Sequence, residues 1–237
     1  MSDQSASKQR IWDLPTRVFH WTLAISFFGA YLLAESERVR HFHVMFGYTV
    51  LGLVVFRLIW GFIGTRYARF SSFAFGPRAV GRHVQGLLRR EGAQYVGHTP
   101  AGSWAIWAML ILAVVTAGSG WLTLNEIGGE GFEEVHEVAA NAWLFMVFVH
   151  VAGVIVSSLV ERTNLPRAMV TGFKNLKETA GSVRNVSALG VLMLIAISAF
   201  WIAVPLTNGS VVLPGVSEMS ADAVRSHGHE HEDQEDD

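Results

Sequence analysis

Five apolar blocks, each near the length that crosses a bilayer, constrain this chain more than any other feature. A spanning helix needs about 20 mainly apolar residues, and the blocks fall at 18–34, 43–63, 103–124, 135–160 and 187–206. Charged residues make up 16% of the chain, against about 25% in a typical soluble domain. The expected fold is therefore all-α: a polytopic membrane helical bundle. The first block follows Lys8, Arg10 and Arg17 like a signal peptide. Glu35–Ser36–Glu37–Arg38 after it offers no small-x-small cleavage site, so it is read as a span.

Loop charges orient the bundle. The segment between blocks two and three carries Arg66, Arg69, Arg78, Arg82, Arg89 and Arg90. The segment between blocks four and five carries Arg162, Arg167, Lys174, Lys177 and Arg184. The loop between blocks three and four holds Glu126, Glu130, Glu133 and Glu134. The excess of Lys and Arg on cytoplasmic loops predicts the N-terminus inside and, after five spans, the C-terminus outside. No basic cluster is interleaved with base-stacking aromatics, which excludes a nucleic-acid partner. Membrane lipid is the surrounding medium. The chain has no cysteine, which excludes disulfides, thiolate metal sites and covalent haem attachment.

Ionisable groups inside spans are costly and mark function. Four histidines qualify: His20, His43, His136 and His150. His150 follows His136 by fourteen residues, a rise of about 21 Å and a rotation that returns to within roughly 40° of the same face. One helix thus carries two imidazoles at two depths. At matching depths His43 faces His136 on the outer side, and His20 faces His150 on the inner side. Two facing imidazoles form a bis-histidine haem b site, so the pattern points to two non-covalent haem b groups stacked across the bilayer. Gly47, Gly52, Gly118, Gly120 and Gly153 leave room for a flat ring or for close helix approach. Arg57 follows His43 by fourteen residues; it either pairs with a propionate of the inner haem or snorkels to the interface.

The chain also resembles a known family. The stretches W-D-L-P-T-R-V-F-H-W (12–21), H-V-M-F-G-Y (43–48), F-R-L-I-W-G-F-I-G (56–64) and A-R-F-S-S-F (68–73) carry the resemblance. So do H-T-P-A-G-S (98–103), H-E-V-A-A-N (136–141) and H-V-A-G-V (150–154). Together they are similar to the bacterial cytochrome b561 and nickel–iron hydrogenase cytochrome b family. The resemblance implies a four-helix core holding two b haems, with His20, His43, His136 and His150 as axial ligands. It implies electron transfer between the quinone pool of the bacterial cytoplasmic (inner) membrane and an outer redox partner, such as a cytochrome c, a hydrogenase or a dehydrogenase. His98 matches a recurrent family position, where it either touches a propionate or quinone headgroup or is a solvated interfacial histidine.

The expected organisation is a cytoplasmic segment at 1–11, a di-haem domain at 12–180, a fifth transmembrane helix at 181–207 and an outer acidic tail at 208–237. The fifth span and the tail S-H-G-H-E-H-E-D-Q-E-D-D (226–237) depart from the minimal family pattern. The tail reads as a solvated acidic segment that would attract a basic partner. The leading functional reading is an electron carrier of a respiratory chain. A superoxide:quinone oxidoreductase of the same fold is the alternative, although it calls for a cationic outer funnel and this outer side is acidic apart from Arg38 and Arg40. A divalent-metal transporter is the third reading. His136–Glu137 is only half of an H-E-x-x-H zinc motif, since Ala140 stands where the second histidine would be.

Overall fold

The computed structural model describes residues 7–91, 94–176 and 181–206. The tail at 208–237 lies outside the described residues. A short strand, β1 (Ser7–Arg10), leads into α1 (Leu14–Leu32). The helix starts four residues before its apolar block because polar residues build its cap: the Asp13 carboxylate accepts from the Thr16 N–H at 2.7 Å, and Pro15 lies in the first turn. A 3-10 turn over Glu37–Val39 then opens α2 (Arg40–Ile63).

Between α2 and the next long helix lies α3 (Pro77–Leu88), which no apolar block foretold. Next come α4 (Pro100–Leu124), capped by the Thr99 hydroxyl on the Gly102 N–H, and α5 (Glu130–Val160). Glu130 and Glu133 sit in the first turn of α5, where negative charge complements the helix dipole. A short α6 (Leu165–Thr171) and the strand β2 (Phe173–Leu176) precede α7 (Ser187–Leu206), which matches its apolar block.

Among the described residues, four helices are long and apolar enough to cross a membrane: Glu37–Ile63, Pro100–Leu124, Glu130–Val160 and Ser187–Val204. The nineteen-residue α1 falls short of that hydropathy because Thr16, Arg17, His20 and Thr22 crowd its first half. It is nonetheless packed in the bundle, against α2 on one side and α7 on the other. Helix α2 also packs on α4, and α4 on α5.

Phe27 of α1, Val50 and Val54 of α2, Ala113 of α4 and Trp143 of α5 form the central core. The outward surface is apolar: Phe62 and Leu159 are each 73% exposed, with Val55, Ile111 and Phe145 exposed beside them. Water would penalise so much contiguous apolar surface, whereas lipid solvates it. The molecule is an all-α membrane helical bundle, with one small two-stranded sheet at its end. Helix α7 attaches to α2 through the Trp201 indole, which donates to the Thr49 hydroxyl at 3.1 Å.

That sheet ties the start of the chain to the end of the helical core. Strands β1 and β2 run antiparallel, with Ser7 opposite Leu176 and Arg10 opposite Phe173. The residues before Trp12 are thus an integral part of the fold from Ser7 onward. Beneath α5 the seam buries two opposite charges, Glu161 at 7% and Lys174 at 5% exposure. The Lys174 ammonium donates to the Tyr95 carbonyl at 2.6 Å. Burial pushes the Glu161 carboxyl up and the Lys174 ammonium down, and each charge partly offsets the other's shift. Lys174→Met removes that compensation and should cost about 3 kcal/mol at neutral pH. The Glu161 pKa then rises further in the folded state. The added penalty is absent below the unfolded carboxyl pKa and grows as pH rises through the folded one. Thermal unfolding in detergent should therefore show a larger deficit for Lys174→Met at pH 8 than at pH 5.

Candidate haem site

Helix α5 is continuous from Glu130 to Val160 and carries both His136 and His150. The predicted fourteen-residue step therefore lies on unbroken helix. The His43 ring of α2 faces the His136 ring across the bundle, with centroids 6.0 Å apart and planes at 74°. Each ring is held by a backbone carbonyl. His43 Nδ1 lies 2.8 Å from the Ala30 carbonyl of α1, and His136 Nδ1 lies 2.8 Å from the Thr116 carbonyl of α4. A carbonyl can only accept, so each Nδ1 carries the proton and each Nε2 presents a lone pair. This is the tautomer that binds metal through Nε2, with the other nitrogen oriented by an outer partner. Metal–imidazole bonds of about 2 Å on both sides of one ion require ring centres about 6 Å apart, which is the spacing found.

Local sequence explains both carbonyl contacts. Ala30 lies in the last turn of α1, where its carbonyl shares the capping Leu33 N–H with Gly29 and keeps room to accept from His43. Gly29 lets α2 come close there, since a Cβ on it would meet the Phe46 ring at 2.6 Å. On the other side, a Cβ on Gly120 would lie 2.7 Å from His136 Cε1. Gly120 is thus the residue that lets the His136 ring lie against α4. Gly47 and Gly153, each on the face of its helix that bears a histidine, have nothing within 4 Å of an added Cβ, and neither has Gly118. Gly52 behaves differently. It is nine residues from His43 and so on the opposite face of α2, where it lines an apolar cleft of about 280 Å³ against α7.

At the other level His150 lies within electrostatic reach of both His20 and His98. The His20 Nδ1 is buried with no hydrogen-bond partner among the described residues. Arg57 is only 6% exposed, with its guanidinium 4.8 Å from the Phe70 ring centre and 5.6 Å from that of Phe73. It does not snorkel, and its Nη1 has no partner among the described residues. The His98 ring is clamped between Trp12 at 4.6 Å and Phe73 at 4.5 Å, which differs from a freely solvated interfacial position. Its Nδ1 is likewise buried and unpartnered. Burial pushes the His98 imidazole down to about 3, with Arg57 and His150 adding to the shift, so the ring is neutral at pH 7.

Unpartnered buried donors are rare because each forfeits the hydration it lost. Arg57 and His98, beside the His20–His150 level, suit an anionic, acceptor-rich group next to a metal, as haem propionates are. Between the two levels stands an aromatic pair that sequence reasoning missed. Trp143 is seven residues from both His136 and His150, and its ring centre is 4.4 Å from that of Phe27. Two steps of seven along one helix keep all three side chains on one face, a signal that was present in the sequence.

Comparison with known proteins gives one result of substance. The model of the family described as prokaryotic cytochrome b561 matches residues 11–172. Searches of curated proteins and of solved structures returned no match. The family match covers α1 to the end of α6, including all four histidines, Arg57 and His98, and leaves α7 outside. The chain belongs to the prokaryotic cytochrome b561 family: it is an integral membrane cytochrome that binds haem b and takes part in electron transfer.

Proposed function

We propose that the protein carries two b haems and conducts electrons across the bacterial cytoplasmic membrane, between the quinone pool and a redox partner on the outer face. The observation that carries this reading is the His43–His136 pair: two imidazoles 6.0 Å apart, each turned by a backbone carbonyl to present Nε2. His43 and His136 would hold the outer haem, and His20 and His150 the inner one. Haem iron supplies reversible one-electron chemistry between its ferrous and ferric states. The chain's part is to ligate, to keep water from the apolar interior, to neutralise propionate charge through Arg57 and to offer propionate a neutral hydrogen-bond donor in His98. Placing Arg57 and His98 near a quinone headgroup is the alternative use of the same donors. Haem binding by the family favours this reading over a divalent-metal transporter.

In this reading α1 crosses the membrane with α2, α4, α5 and α7. Its polar first half is accommodated because Arg17 donates to the Val170 carbonyl at 2.6 Å and His20 turns into the bundle toward His150. The basic loops favour a cytoplasmic N-terminus and a cytoplasmic α3. Glu126 in the loop between α4 and α5, with Glu130, Glu133 and Glu134 at the start of α5, then faces outward and favours a basic partner such as a soluble cytochrome c.

The purified protein should be red, show a b-type α-band on reduction, and contain two haems per chain. His150→Ala should lose the inner haem alone and His136→Ala the outer one. A wild-type ratio of one haem per chain, or full haem retention in His150→Ala, would sink the pairing. Quinol added to membranes should reduce the haem that survives in His136→Ala faster than the one that survives in His150→Ala; the reverse order would place quinone on the outer side.

Gly120→Ala tests how the outer ligand is positioned. The added methyl displaces His136 from the Thr116 carbonyl, and loss of such an outer contact costs about 10- to 100-fold in metal affinity. Haem dissociation to an apo-acceptor should accelerate for the outer haem and stay unchanged for the inner one.

A further inference from the structure

Helix α3 has three distinct faces. Val80, His83 and Leu87 form the face partly or fully shielded by the molecule, with His83 buried and edge-on to Tyr95 at 5.1 Å. Turned 100° round the helix, Gly81, Val84 and Leu88 form an exposed small and apolar stripe, with Val84 at 42% and Leu88 at 81% exposure. A further 100° round, Arg78, Arg82 and Arg89 form an exposed basic stripe. No acidic residue falls between Glu37 and Glu91.

The depth of this helix is fixed independently. Trp104, one turn into α4 and 49% exposed, donates its indole N–H to the Phe75 carbonyl at 2.9 Å. Phe75 stands two residues before α3. A half-exposed tryptophan at the end of a spanning helix marks the bilayer interface, so α3 begins at headgroup level. It also packs against α4 and α5 instead of projecting away from the bundle.

We propose that α3 lies in the membrane interface and binds anionic phospholipid headgroups, with Val84 and Leu88 entering the acyl boundary and Arg78, Arg82 and Arg89 contacting phosphate. An apolar stripe flanked by an arginine stripe is the arrangement that binds such a surface. The inference needs only that the chain is embedded in a membrane, and it stands apart from the assignment of haem ligands.

The absence of cysteine makes the test direct. Single replacements Val84→Cys, Leu88→Cys and Gln85→Cys, spin-labelled in the full-length holoprotein, are placed in nanodiscs of phosphatidylcholine with or without phosphatidylglycerol. Labels at 84 and 88 should be open to oxygen, which partitions into lipid, and several times less open than 85 to a water-soluble nickel chelate. Phosphatidylglycerol should deepen that contrast. Arg78→Gln, Arg82→Gln and Arg89→Gln together should abolish the deepening. At about fivefold per arginine, the triple variant should also lose on the order of a hundredfold in preference for the anionic lipid. Equal chelate access at 84, 85 and 88 would place the helix in water. Shielding from both relaxants would show a protein partner or second copy on this face. Indifference to phosphatidylglycerol would remove the headgroup site. Each of these three results overturns the proposal.

Discussion

A buried imidazole must place its N–H somewhere, and at the His43–His136 level both find a backbone carbonyl on a neighbouring helix. Much of the bundle's geometry follows from that requirement. Helix α1 has to end beside α2 so that the Ala30 carbonyl comes within reach of His43. Helix α4 has to touch α5 at Gly120 so that the Thr116 carbonyl can reach His136. The pair therefore couples all four core helices, although only α2 and α5 contribute the rings. In an apolar interior such a hydrogen bond has no competing water, and Nε2 of each ring is left free of it.

The long apolar helices, the charged loops and the four helix-borne histidines were legible in the sequence because each leaves a pattern of residue types. The step from His136 to His150 was the most informative, since α5 is one unbroken helix. Except for α7, the long helices start several residues before their apolar blocks, because the residues that open a helix, such as Asp13 and Thr99, are often polar and lie outside an apolar block. The carbonyls of Ala30 and Thr116 could not be found at all. A backbone carbonyl has no residue identity, and only the fold says which one is near a ring. Gly120 was visible as a small residue, yet nothing in the sequence separated it from Gly118, where an added Cβ would meet nothing within 4 Å. Helix α3 escaped because its residues divide among three faces, which leaves no run of apolar residues to notice.

The two levels are built from different materials. At the His150 level, residues far apart in the chain converge as side chains. Trp12 and Phe73 hold His98, Phe70 and Phe73 lie against Arg57, and Asp13 bridges to the Thr65 hydroxyl. Gly61 permits the close approach of Phe70, whose ring stands 2.1 Å from where a Cβ would be. The stretches at 12–21, 56–64, 68–73 and 98–103, by which the chain resembles its family, all supply residues to this one layer. At the His43 level the corresponding work falls to backbone carbonyls and a glycine.

That difference explains why more of the resembling stretches of this chain gather at one end of the bundle than at the other. A layer assembled from side chains constrains residue type at every contributing position, so it is written into the sequence as motifs. A layer assembled from backbone groups constrains helix placement instead, and many residues at position 30 or 116 could offer the same carbonyl. At that end His43, His136 and the glycine against His136 are the positions where residue type matters. The motifs mark the His150 end of the bundle most heavily because that is where side chains, and not the peptide backbone, satisfy the buried polar groups.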